Sequence, residues 1–193
     1  MFTHYKCYTS LVESQAGYKY LLTYQYSLVI CDLTVEFCLK FLDGREWLRL
    51  RDQMNQAARS GKQNIVEGHQ VESLESYIKL LGVARGSLFE LLEDYQDYLR
   101  QHNLKIWAKD EVRMRGLRDL RVVEKPEIHI PQFPHISHDP ELAANLMVML
   151  CQRTTYLLEK QIAALKEKFI KEGGFRENLF QRRLAYKKKK DWN

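Results

Sequence analysis

The strongest constraint on this chain is a spacing. From Tyr77, the apolar residues Leu81, Ala84, Leu88, Leu91, Tyr95 and Tyr98 follow at steps of three and four over three heptads. Such steps put every member on one stripe of an α-helix, whereas a strand alternates by two. Sustained at 3.5 residues per repeat, the stripe favours near-antiparallel, coiled-coil-like packing over globin-like crossing. The pattern recurs elsewhere. Leu21, Tyr24, Leu28, Cys31, Val35, Cys38 and Leu42 give the seam of a first helix. Trp47, Leu50, Met54, Ala57, Gly61, Ile65 and Gly68 give that of a second, large at its start and small afterwards. In a fourth helix, only Asn145 is polar between Leu142 and Cys151, which predicts burial on more than one side, against its own core and a second subunit. The expected fold is all-α, an antiparallel up-down four-helix bundle.

Local chemistry sets the boundaries, with helices at about 15–42, 46–70, 73–102 and 140–172. Asp43 and Glu46 have capping-box spacing, and Gly44 suits a left-handed turn between the first two helices. Ser73 is an expected N-cap, Asp139-Pro140 an N-cap with proline in the first turn, and Gly173-Gly174 a stop. Residues 1–14 form an N-terminal arm. The connector 103–139 is an insertion, with a short basic helix over Lys109–Leu120 and then EKPEIHIPQFPHISHDP, which reaches Pro140 and holds all four prolines. Residues 173–193 form a basic tail, in which 175–188 has the makings of one more short helix.

Composition narrows the function classes. The longest unbroken apolar run, Leu146–Cys151, is far shorter than the roughly 20 residues of a membrane span, so no membrane partner is expected. The opening MFTHYKCYTS lacks a charged start followed by an apolar stretch, and cysteines at 7, 31, 38 and 151 form no CxxC pair. Both features fit a reduced, cytoplasmic protein. The net charge of +5 is uneven: from Lys171 onward there are eight basic and three acidic residues, so the rest of the chain is neutral. An anionic partner would be felt first at that tail.

The stretch ARSGKQNIVEG, Ala58–Gly68, interrupts a helix with two glycines. A phosphate loop is excluded: Gln56 stands where the first glycine belongs, Gln63 replaces the Ser/Thr, and no strand pattern precedes. Catalysis by Asn64 and Glu67 lacks a second carboxylate or histidine on the same helical face. Close helix packing accounts for more. Ala57, Gly61 and Gly68 strip bulk from one face, and each internal glycine costs about 1 kcal/mol in helix propensity that a close contact offsets. Asn64 and Glu67, three apart, are placed to hydrogen-bond across that contact. His129, His135 and His138 lie close together in the connector, but with only Asp139 or Glu127 as further ligands they read as a surface loop. No metal, cofactor or catalytic residue is expected.

AARSGKQNIVEG followed by SYIKLLGVARGSLFELLEDY resembles the signature of the bacterial four-helix-bundle family encoded in 23S ribosomal RNA intervening sequences. Asn64, Ile65, Glu67 and Gly68 match its first motif; Leu81, Ala84, Gly86, Ser87, Leu88, Glu90 and Leu91 match its second. The resemblance covers about residues 18–100 and extends to the fourth helix, and the added connector and tail resemble the longer subgroup called the four-helix-bundle suffix domain. It implies that Gly86 and Ser87 join the packing motif, that the protein forms ring-like homo-oligomers, typically pentamers, and that it is not an enzyme. A relative, the accessory protein of diversity-generating retroelements, binds nucleic acid and a reverse transcriptase.

Phosphates require lysine and arginine on an accessible surface. Arg51, Asn55, Arg59 and Lys62 follow one another along the second helix; the connector helix adds Lys109, Arg113, Arg115, Arg118 and Arg121, diluted by Asp110, Glu111 and Asp119. The tail contributes Arg182, Arg183, Lys187, Lys188, Lys189 and Lys190, with Tyr186 and Trp192 for stacking on bases. The function expected is a self-associating scaffold that binds nucleic acid, RNA in particular, electrostatically. The alternative is a protein-interaction module in which the apolar fourth helix and the connector dock a protein partner.

Overall fold

The computed structural model describes residues 17–119 and 136–190, and among them every regular element is helical. The N-terminal arm 1–14 with Cys7, the connector's Arg121, Pro126, His129, Pro131, Pro134 and His135, and Trp192 lie outside the described residues. Six α-helices follow in order: α1 Leu22–Phe41, α2 Leu48–Gln70, α3 Leu74–Gln101, α4 Val112–Asp119, α5 Pro140–Glu172 and α6 Phe175–Lys190. One-turn 3-10 helices, Gly17–Tyr20 and Arg45–Trp47, precede α1 and α2. The most extensive contacts join α2 to α3 and α3 to α5, and α1 packs on α2 and α5.

Most boundaries follow from local side chains. Ser73 Oγ accepts from the Ser76 amide at 3.2 Å and opens α3. The Asp139 carboxylate accepts from the amides of Glu141 and Leu142 at 2.9 and 3.5 Å and opens α5, with Pro140 in its first turn. Gly173, at φ 73°, closes α5 in the left-handed region. The α1–α2 junction differs from the sequence expectation. Gly44 is extended at φ −66° and ψ 153°, no side chain caps the turn, and the 3-10 turn intervenes before α2 starts at Leu48. The Glu46 carboxylate folds back over Gly44, but Glu46 is an exposed, flexible side chain and the extended backbone does not require glycine.

The buried face of α1 coincides only in part with the seam read from its spacing: Cys38 and Leu42 are buried as expected. Tyr26, Ile30, Leu33, Thr34 and Phe37 enter the core, while Leu21, Tyr24, Leu28 and Cys31 are half-buried and Val35 is 47 % exposed. Hydroxyls explain the difference. Thr34 donates to the Ile30 carbonyl at 2.6 Å and accepts from Tyr95 Oη at 2.9 Å; Ser27 donates to the Tyr24 carbonyl at 2.7 Å. Satisfied in this way, polar residues occupy the core face. Phe37 stands edge-on to Tyr95 and Tyr98, with ring centroids 5.0 and 4.9 Å away.

The apolar half of α5 is covered by its own chain. Ala143 to Cys151 are all buried, α5 contacting α1, α3 and the short α4, so the second subunit expected over this stretch is not required by its burial. Asn145 is fully buried: its Oδ1 accepts from the Trp107 amide at 2.9 Å, and its Nδ2 donates to the carbonyls of Lys105 and Glu141 at 2.9 and 2.8 Å. Trp107 Nε1 donates to Glu141 at 2.7 Å, and the Arg113 guanidinium lies 4.2 Å over the indole. The start of the connector is thereby fixed to the N-terminal turn of α5. Its other end is tied to α1, where Ile136 takes one bond from Lys40 and gives one to Glu36.

Candidate nucleic-acid interface and packing motif

The small residues of α2 lie against α3. A Cβ on Gly61 would sit 2.7 Å from Leu88 Cδ2, and one on Gly68 would sit 2.8 Å from the Tyr77 ring. Ala57, Ala58 and Ile65 are buried beside them. The two hydroxyls Ser60 Oγ and Ser87 Oγ are 2.9 Å apart and link the helices directly. Asn64 acts one step back: its Nδ2 donates to the Ser60 carbonyl at 2.9 Å and to Ser60 Oγ at 3.2 Å. Nothing in the spacing pointed to Ser60, because its partner is 27 residues away.

Two motif residues stand elsewhere than a packing role requires. Glu67 is exposed and accepts only from Gln63 Nε2, at 3.3 Å on its own helix, so it does not cross the contact with Asn64. Gly86 is exposed, and a Cβ there would meet nothing within 4 Å. It lies two residues from both Ala84 and Leu88, which are buried, and two residues turn a helix to its other side.

The cations of α2 lie along its flank towards α1. Burial holds the Cys31 thiol above its usual range while Lys62 and Arg59 pull it back; at Cys38 burial pushes the thiol up to about 12, with Arg51 opposing. Arg59 is exposed, whereas Arg51, Asn55 and Lys62 are half-buried. Among the described residues, none of Arg51, Arg59 and Lys62 pairs with a carboxylate. By contrast, Arg113 is engaged with Glu111 at 2.6 Å and Glu141 at 3.1 Å.

The tail is a helix. In α6 the residues from Phe175 to Lys188 are all exposed, including Arg182, Arg183, Lys187 and Lys188, and Lys189 and Lys190 complete the last turn. Phe175, Leu179, Phe180, Leu184 and Tyr186 are exposed among them. The α2 line and α6 are separate basic surfaces. Of the motif, Gly61, Gly68, Ser87 and, through Ser60, Asn64 lie at the α2–α3 contact, whereas Glu67 and Gly86 do not. Among the described residues no group of His, Cys, Asp and Glu is arranged to hold a metal ion, and no helix is long and apolar enough to cross a membrane.

Residues 19–110 match the family model described as 23S rRNA-intervening sequence protein. The matched span runs from the turn before α1 to the loop before α4 and contains both motifs. No curated protein and no solved structure matches the chain.

Proposed function

We propose a scaffold role from one premise: over residues 19–110 this chain belongs to the 23S rRNA-intervening sequence protein family. In this reading the chain is an antiparallel up-down four-helix bundle that self-associates in the cytoplasm and binds nucleic acid, RNA before DNA, without catalysing a reaction. Gly61 against Leu88 and Gly68 against Tyr77 run in opposite senses along α2 and α3, which supports the antiparallel arrangement.

The observation that carries the binding role is α6. Its sequence FRENLFQRRLAYKKKK has seven basic residues and one acidic, and its side chains from 175 to 188 are turned to solvent. Such a helix meets phosphates without first breaking internal ion pairs. Arg51, Arg59 and Lys62, which pair with no carboxylate among the described residues, supply a second surface that an oligomer would repeat on every copy. Self-association is supported by α1, whose outward residues Val35 and Leu39 are 47 and 64 % exposed.

Binding of a labelled structured RNA across a salt series tests the reading, comparing the whole chain with one ending at Gly173. The expected result is a steep linear fall of log affinity with log salt, at about −0.9 per phosphate contact in duplex regions, and a shallower slope for the shorter chain. Absence of binding by either chain at low salt would remove the nucleic-acid role and leave a protein-interaction module.

A further inference from the structure

A groove of about 840 Å³ opens between α3 and α5, and no residue of α2 is in its lining. Two aromatic rings line it, Phe89 on α3 and Tyr156 on α5, and they are 55 and 57 % exposed. Gly82 and Gly86 line it as well, and a Cβ on either would meet nothing within 4 Å. Glycine is a poor helix former, and among the described residues no neighbour accounts for its use. The missing side chains leave open space beside the rings.

The charges of the groove indicate what occupies it. Arg85 and Lys109 line it together with Glu90 and Glu159, and the Lys160 ammonium lies 5.2 Å from the Tyr156 ring centroid. Near-balanced charge makes a poor track for the dense phosphates of a duplex. Charged residues are also depleted from the centre of a contact between two protein helices. Unpaired nucleotides match all of these groups. Their bases stack on aromatic faces, carboxylates accept from base amino groups, and nearby cations take the intervening phosphate.

We propose that this groove binds unpaired nucleotides of an RNA whose paired segments lie on the α2 line and α6. The inference rests on the nucleic-acid reading above and adds to it a preference for single strands. The test is fluorescence anisotropy with two labelled probes, a single-stranded RNA dodecamer and a duplex of the same length, on the whole chain and on Phe89→Ala/Tyr156→Ala. Both side chains are more than half exposed, and thermal unfolding of the double variant checks that the fold is kept. The single variant Tyr156→Ala accompanies it as the milder change.

The expected result is a roughly tenfold or greater loss of single-strand affinity for the double variant, a smaller loss for Tyr156→Ala, and an unchanged duplex affinity and salt slope. Wild-type chain that binds both probes, with the variants binding equally well, overturns the groove and leaves electrostatic binding intact. Loss of both affinities, with a fall in mass by light scattering, overturns it in favour of a contact between copies. Wild-type chain that binds neither probe removes the nucleic-acid reading itself, and the groove's assignment with it.

Discussion

A single methyl group distinguishes two kinds of glycine in this fold. Gly61→Ala gains up to about 1 kcal/mol of helix propensity but drives its Cβ against Leu88, which is fully buried and has no free space to turn into. Overpacking of that kind costs about 1–3 kcal/mol, so the substitution should lower the melting temperature. Gly86→Ala has the same propensity gain and meets no neighbour, so it should raise it. Thermal unfolding of the two variants checks the pair, and a shift of the same sign in both would contradict the packing account. Asp94 illustrates a different residue-level effect. One of its carboxylate oxygens is buried without a partner, and desolvation, then the charges of Asp97 and Glu90, push its pKa from the ordinary 3.8 to about 6. A carboxyl raised on folding favours the folded state fully below the unfolded value, and that contribution is lost as pH rises through the folded one. Stability should therefore increase as pH falls from 7 towards 4, other groups held equal. Asp94→Asn should flatten that segment of the curve and raise stability at pH 7. An unchanged pH profile in the variant would show that the carboxyl is freely solvated.

At the scale of elements, Asn145 organises the join between α5 and the start of the connector. Asn145→Leu keeps the branched outline, though with more bulk, and leaves the buried Trp107 amide and the Lys105 carbonyl without their partner, at a cost of about 2 kcal/mol or more. Denaturant unfolding should report that loss, and hydrogen exchange at the Trp107 amide should accelerate beyond the global change. Full stability in the variant would mean that water replaces the amide at no cost. The signal for this join was present in the sequence, since Asn145 is the one polar residue in an apolar run, but its partners 38 and 40 residues away were not. Caps show the opposite case. Ser73, Asp139-Pro140 and Gly173 act on amides and carbonyls within a few residues, so their roles were legible directly. The inner face of α1 was legible only in part, at Cys38 and Leu42, because apolar residues lie on both sides of the helix and the hydroxyls that enter the core count as polar in any periodicity. Similarly, the cations of the basic surfaces could be read from the sequence, but which motif glycine faces a neighbour depends on how helices turn towards one another. Gly86 and Glu67 match the motif without facing α2–α3's contact for that reason.

For the whole molecule, the proposed self-association would link the two faces of α1, one folded into the core and one exposed. One face is used up in the chain's own core; along the other, Leu28 is half-buried while Val35 and Leu39 remain exposed. Exposed apolar residues grouped on one helix face are a typical site of association, and repeated contacts of one kind would close into a ring where the rotation between copies permits. Closure would also matter for binding. Under the proposed function each copy would bring its own Arg51, Arg59, Lys62 and α6, so a single RNA would engage several copies at once, the later contacts forming at high effective concentration. Val35→Glu/Leu39→Glu places two charges on that exposed face without touching a core residue or a basic one. Sedimentation of the double variant should show a monomer with unchanged helicity. Its RNA affinity should fall by tenfold or more, with a shallower salt slope, although every cation of the chain is still present. An assembly that persists would move the interface off α1. A monomer that binds as tightly as the parent would separate assembly from binding, since one chain's cations would then account for all the phosphate contacts.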